Sequence, residues 1–226
     1  MLLKRLADFH NPSSLASRMR RRRFAVFEAL ATELPFGARI LDIGGTPEFW
    51  REIALLERGR VRVTLLNVES YAPAHPDVEL IQGDARDMRC FRDWEFDAVF
   101  SNSVIEHVGS VADQRRMAAE IQRVAPRYFV QTPNRYFPLE PHFLLPLFQF
   151  YPRAFQIALV RRFRLGWMPR RSNYDEAKGE VTQIRLLAAS EMRMLFPDAT
   201  LYREKLCGLT KSLIAYGGWH ARAVSG

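Results

Sequence analysis

One feature constrains this 226-residue chain more than any other: short apolar runs, each ending at small or polar residues, alternate with helical stretches. Arg39-Ile-Leu-Asp-Ile43 runs straight into Gly44-Gly45. Val61–Val68 is rich in β-branched residues, and Val78–Gln82, Phe96–Ser101 and Arg127–Thr132 repeat the pattern. Helical stripes lie among them. Phe24, Phe27, Leu30 and Leu34 keep helical spacing until Pro35 and Gly37 end it, and Met117, Ile121 and Val124 do so within Asp113–Ala125, before Pro126. Strands alternating with helices predict an α/β fold, a parallel sheet with helices on both faces. Ser190–Phe196 reads as a further helix with Ser190 as its N-cap. Ala199–Leu206 and Lys211–Tyr216 read as a closing antiparallel hairpin around Gly208.

Composition removes other classes. With 48% hydrophobic and 26% charged residues the chain has enough apolar surface for a core, so disorder is excluded. Cys90 and Cys207 have no CxxC spacing, which leaves no disulfide framework and points to a reduced, cytoplasmic compartment. Met1–Leu6 lacks the apolar core of a signal peptide. The stretch 143–160 is the most apolar, but Pro146, Gln149, Pro152, Arg153 and Gln156 interrupt it, so it is a poor spanning helix. It reads as a buried lid helix, with a segment lying on a membrane surface as the alternative. The net charge is +8, concentrated in Arg18 with Arg20–Arg23 and in Arg161, Arg162, Arg164, Arg170 and Arg171. Such clusters attract phosphates or anionic lipid at the inner face of a membrane, or simply solvate a helix end and a loop. The expected organisation is a basic segment 1–23, a domain 24–217 with an insertion 134–185, and a tail 218–226.

In sheets of this kind ligands bind beyond the carboxyl ends of the strands. Those places carry Asp42-Ile-Gly44-Gly45, then Glu69, then Gly83-Asp84-Ala85, then Asn102-Ser103 with Glu106-His107, and finally Thr132-Pro-Asn134. Glycines let backbone approach a ligand closely, and an acid some 24 residues later can accept both hydrogen bonds of a ribose diol. Together ILDIGGTPEFW (40–50), LLNVE (65–69), GDARDM (83–88) and FDAVFSNSVIEHV (96–108) resemble the class I S-adenosylmethionine-dependent methyltransferase family. LTKSLIAYG (209–217) fits it as well.

The resemblance implies a Rossmann-like seven-stranded sheet, mostly parallel, whose last strand inserts antiparallel; the long Pro-, aromatic- and Arg-rich stretch 134–185 reads as a lid insertion before the sixth strand. It implies S-adenosylmethionine as cofactor. Asp42, Gly44 and Gly45 would line its methionine end, Glu69 its ribose, Asp84 with the adjoining Ala85 its adenine, and Asn102 and Ser103 its flank. Thr46-Pro47 stands where the family has a further glycine. A dinucleotide fold would want G-x-G-x-x-G to seat a pyrophosphate, and the loop lacks its third glycine.

Methyl transfer to a weakly acidic hydroxyl needs a base. His107 is the candidate, the alternative being a histidine that packs at a helix start. Glu140 and His142 either reach over the site or order the lid. His10, His75 and His220 have no partners at ligand spacing, so no metal is expected. After the fourth strand the chain reads SNSVIEH rather than the Asn/Asp-Pro-Pro-aromatic loop of base-amine methyltransferases, and no cysteine is placed for C5 chemistry. This favours O-methylation of a small-molecule, sugar or lipid-linked acceptor over nucleic acid. TPNRYFPLEPHFLLPLFQFYP (132–152) more loosely resembles methyltransferases of bacterial surface-polysaccharide synthesis. The competing readings are a non-catalytic cofactor-binding or scaffold protein of the same fold, and an RNA methyltransferase.

Overall fold

The computed structural model describes residues 11, 13–51, 54–57, 59–69 and 77–220. The expectations that touch His10, His75, residues 1–9 and the tail 221–226 lie outside them. The described strands are β1 (Ala38–Ile43), β2 (Val61–Asn67), β3 (Val78–Gln82), β4 (Ala98–Asn102), β5 (Tyr128–Pro133), β6 (Thr200–Leu206) and β7 (Leu209–Gly217), in the order β3-β2-β1-β4-β5-β7-β6. Strands β1 to β5 pair in parallel, and β7 runs antiparallel between β5 and β6. The chain winds outward from β1 in one direction and from β4 in the other, so a crevice opens beyond the carboxyl ends of β1 and β4.

Both faces of the sheet are covered, which is why β1 and β4 read as nearly continuous apolar runs. On one face, α1 (Leu15–Ala31), α2 (Pro47–Arg51) and α3 (Ala54–Glu57) lay Phe24, Phe27, Leu30, Trp50 and Leu55 on Ile40, Leu65, Phe100 and Phe129. On the other, α4 (Val111–Val124) and α7 (Ala189–Leu195) lay Met117, Ile121, Val124 and Met192 on Leu41, Ile43, Val99 and Val130. Fully burying a side chain such as Phe27 contributes about 1.5–3 kcal/mol, so this stripe fixes where α1 sits.

Sequence 134–185 builds the lid from a 3-10 turn (Phe148–Phe150), α5 (Arg153–Arg162) and α6 (Tyr174–Thr182), over its own small core of Phe143, Phe148, Ile157, Val160, Val181 and Ile184. Within the stretch 143–160 only the part from Arg153 is α-helical. It buries Gln156, Ile157 and Val160 but exposes Phe155. Among the described residues no helix is long and apolar enough to cross a membrane.

Two local expectations are corrected. Ser190 is not the N-cap of α7. The helix starts at Ala189, and the Glu191 carboxylate accepts the Ala188 N–H at 2.8 Å. Leu187 is anchored in the core and its carbonyl accepts from Arg135 N–H at 2.9 Å, so the chain is released into the helix earlier. The boundary drawn at residue 23 falls inside α1, which runs unbroken from its Ser14 cap into the core stripe.

Candidate active site

Asp42 closes β1 with a side chain almost wholly removed from water, and its Oδ2 accepts the Trp50 indole N–H at 2.6 Å. Burial pushes its carboxyl up to about 7 against the opposing pull of that hydrogen bond. The following loop folds back over it. Gly44 has φ +74°, and a Cβ there would meet Val104 Cγ2 at 2.5 Å, while a Cβ on Gly45 would overlap the Asp42 carboxylate. Both positions therefore require glycine. The departure at Thr46-Pro47 is absorbed simply: Pro47 is the first residue of α2, where a missing N–H costs nothing.

Three hydrogen bonds, two of them backbone to backbone, stitch the strand ends together. Gly44 N–H donates to Leu66 O at 2.8 Å, Asn67 Nδ2 donates to Gly45 O at 3.3 Å, and Gly83 N–H donates to Asn67 O at 2.9 Å. The loops after β1, β2 and β3 thus share one rim. Glu69 is exposed on it, two residues beyond β2, with its own N–H donating to Asn67 Oδ1 at 3.3 Å. Asp84 also lies there, gripped by Arg86 through both carboxylate oxygens, which holds its pKa below the usual range. The Ala85 side chain points into the core. Ser103 sits at φ +59°, a strained region for a residue with a Cβ, and its hydroxyl donates to Gln131 Oε1 at 2.9 Å.

Arg23 was grouped above with solvated arginines. Its side chain is only 11% exposed. The guanidinium donates to Asn102 Oδ1 at 2.9 Å and pairs with Glu204 at 3.2 Å, so α1 orients a residue at the end of β4. Met19, Arg23 and Phe27 stand four apart, and a charge falling on a buried stripe was the signal for this role.

The lid and the β4 loop meet in a chain of side chains. Glu140 is buried; its Oε2 accepts the N–H groups of His142 at 2.8 Å and Phe143 at 2.6 Å. Its Oε1 lies 2.7 Å from His142 Nδ1, and His142 Nε2 lies 3.1 Å from His107 Nε2 with the rings edge-to-face. Burial alone would lower His142, but the Glu140 hydrogen bond and the Glu140 and Glu106 charges outweigh it and hold the imidazole above its ordinary value. His107, open to solvent on one side, is lowered to about 4 by desolvation and by its neighbour His142. Glu106, next to His107 in sequence and close to both histidines in space, was not singled out as a site residue. Fully buried, it is raised to about 7 by desolvation, against His142, Thr132 and Arg23. The fold thus unites His107, Glu140 and His142, and keeps the expected cofactor residues on the neighbouring rim.

A family model for the methyltransferase domain matches residues 41–127, from β1 to the threshold of β5. That span is less than half of the chain, and with the strand order it shows the fold. The fold is a Rossmann-like methyltransferase fold. No curated protein matches the chain in sequence. Among solved structures, the chain is similar to one from the complex of the Haloferax volcanii Trm112 methyltransferase activator with a methyltransferase. That pair shares 13% identity and a TM-score of 0.52 over 89% of this chain and 92% of the other. A Methanosarcina mazei S-adenosylmethionine-dependent methyltransferase gives 13% identity and a TM-score of 0.52, with 84% and 96% covered. A Rhodobacter sphaeroides protein described as a Zn-dependent alcohol dehydrogenase gives 14% and 0.56, with 84% and 86% covered. At such identities the likeness is one of fold, and fold does not specify chemistry.

Proposed function

We propose that this chain is an active methyltransferase that transfers the methyl group of S-adenosylmethionine to a hydroxyl of a sugar or lipid-linked acceptor. The observation that carries the reading is the side-chain series Glu140–His142–His107, which runs from the lid to the loop after β4 beside the cofactor rim. S-adenosylmethionine supplies a methyl on a good, neutral leaving group, so the protein's task is alignment and management of one proton. The Gly44-Gly45 turn leaves room for the cofactor backbone, Glu69 takes the ribose hydroxyls, Asp84 and Ala85 border the adenine, and Asn102 and Ser103 flank it.

Glu140 accepts from His142 Nδ1–H, which leaves the lone pair of His142 Nε2 facing the Nε2–H of His107. The lone pair on His107 Nδ1 then receives the acceptor's hydroxyl proton. The Nε2 proton of His107 passes to His142, and the positive charge comes to rest beside the Glu140 carboxylate.

The lid supports the choice of acceptor. Phe155, Phe163 and Trp167 are exposed, as are Arg161, Arg162, Arg164 and Arg170 in the same stretch, a mix of apolar and cationic side chains suited to a lipid diphosphate at the inner face of a membrane. The test is transfer of a labelled methyl group to fractionated cell lipids, glycans and RNA. Label in the lipid or glycan fraction is expected; label in RNA alone, or in none, overturns the reading.

A further inference from the structure

We propose that Glu106, His107 and His142 form a binding site for one divalent cation of the zinc class. They are the one group of three metal-ligating side chains brought together among the described residues, with their donor atoms all within 4.8 Å of one another. Sequence spacing hid this, because the third ligand comes from the lid, 35 residues beyond His107.

The geometry of the two imidazoles fits first. Zinc–nitrogen bonds of about 2.0–2.1 Å in a tetrahedral shell place two donors roughly 3.3 Å apart. The two Nε2 atoms already face each other at 3.1 Å. The outer nitrogen of His142 is held by Glu140, the carboxylate–histidine pairing that orients metal-bound imidazoles and raises their basicity.

An independent observation concerns the carboxylate. Glu106 is fully buried; Thr132 donates to its Oε2 at 3.0 Å, but Oε1 has no hydrogen-bond partner. A bare buried carboxylate oxygen is costly, and a cation is the ligand that relieves it most directly. Arg23, whose charge also acts on Glu106, is already paired with Glu204. With its donor atom within 4.8 Å of both imidazole nitrogens, Glu106 needs only a side-chain rotation to close the shell. His107 is exposed, so the site keeps an open position toward solvent, as exchangeable sites do.

Two imidazoles and one carboxylate select zinc and its first-row neighbours over magnesium or calcium, which want more oxygen ligands. Cation and proton relay exclude one another, because both draw on the facing Nε2 lone pairs. The cation site itself stands apart from the methyl-transfer reading, since it needs neither cofactor nor acceptor.

The test is calorimetric titration of the metal-stripped, cofactor-free full chain with zinc chloride, repeated with cobalt(II) and visible absorption. One equivalent should bind with a Kd in the micromolar range or tighter. Glu106→Gln, His107→Asn and His142→Ala should each weaken binding at least tenfold. His107 is a surface residue and Glu106→Gln keeps the side chain's shape, so two of the three variants spare the fold; circular dichroism checks this. Absence of saturable binding, or binding unchanged in His107→Asn and Glu106→Gln, overturns the site.

Discussion

Asp42 offers a prediction in which the sign of the effect is the test. Its carboxyl rises from an ordinary value of 3.8 to about 7 because it is buried beneath the Gly44-Gly45 turn. A raised acid pKa means the folded state holds the proton more tightly than the unfolded chain. The group therefore favours folding most at acid pH, and that contribution is lost as pH rises from about 4 toward 7. Integrated between pH 5 and pH 8, the loss is roughly 2–3 kcal/mol, at 1.36 kcal/mol per pKa unit. Asp42→Asn cannot ionise, yet keeps an oxygen for the Trp50 indole. Urea unfolding of both proteins at pH 5 and pH 8 isolates the contribution, because every other titrating group is common to the two. The parent should lose about 2–3 kcal/mol relative to the variant across that interval. Equal pH dependence in the two proteins would refute the burial argument. A parent that gains relative to the variant would mean that Asp42 is ionised and paired.

Other expectations follow from single contacts. Gly45→Ala forces the Asp42 carboxylate aside and orphans the Trp50 N–H, costing about 1–3 kcal/mol in denaturant unfolding; a neutral result contradicts the packing of the turn. Arg23→Met leaves Glu204 buried without its counter-charge and should cost about 3–5 kcal/mol; a loss under 1 kcal/mol would mean Arg23 is solvated after all. In the labelled-methyl assay Glu140→Gln should lower kcat roughly 10²–10⁴-fold with KM little changed. An unaltered kcat would reduce Glu140 to a loop-ordering residue.

Much of the fold was legible because period and punctuation agree. The β1 run ends at a glycine pair, the Met117–Ile121–Val124 stripe is fully buried on α4, and β6 and β7 form the antiparallel pair read from the terminal stretch. What escaped the sequence depends on long-range contact. The buried place of Arg23 is set by Asn102 and Glu204, 79 and 181 residues away, and nothing in an arginine run distinguishes the one that turns inward except its four-residue spacing from Met19 and Phe27. Glu106 was hidden by its apolar neighbours, since Val104-Ile105 and Val108 give no hint of Thr132 below or His142 above. Glu140 and His142 could be named from the sequence, but their meeting with His107 required the lid to close on the β4 loop. Ser190 misled because a serine at a helix start is a good prior, overridden here by the anchoring of Leu187.

The claim beneath all of this is that the stitched loops after β1, β2 and β3 enclose one nucleoside. Calorimetry with S-adenosylhomocysteine addresses it directly. The full chain should bind one equivalent in the micromolar range, about −8 kcal/mol, and Glu69→Ala should lose roughly 1–3 kcal/mol of that as its hydrogen bonds to the ribose disappear. No saturable heat from the parent protein, or an affinity indifferent to Glu69→Ala, would contradict the account.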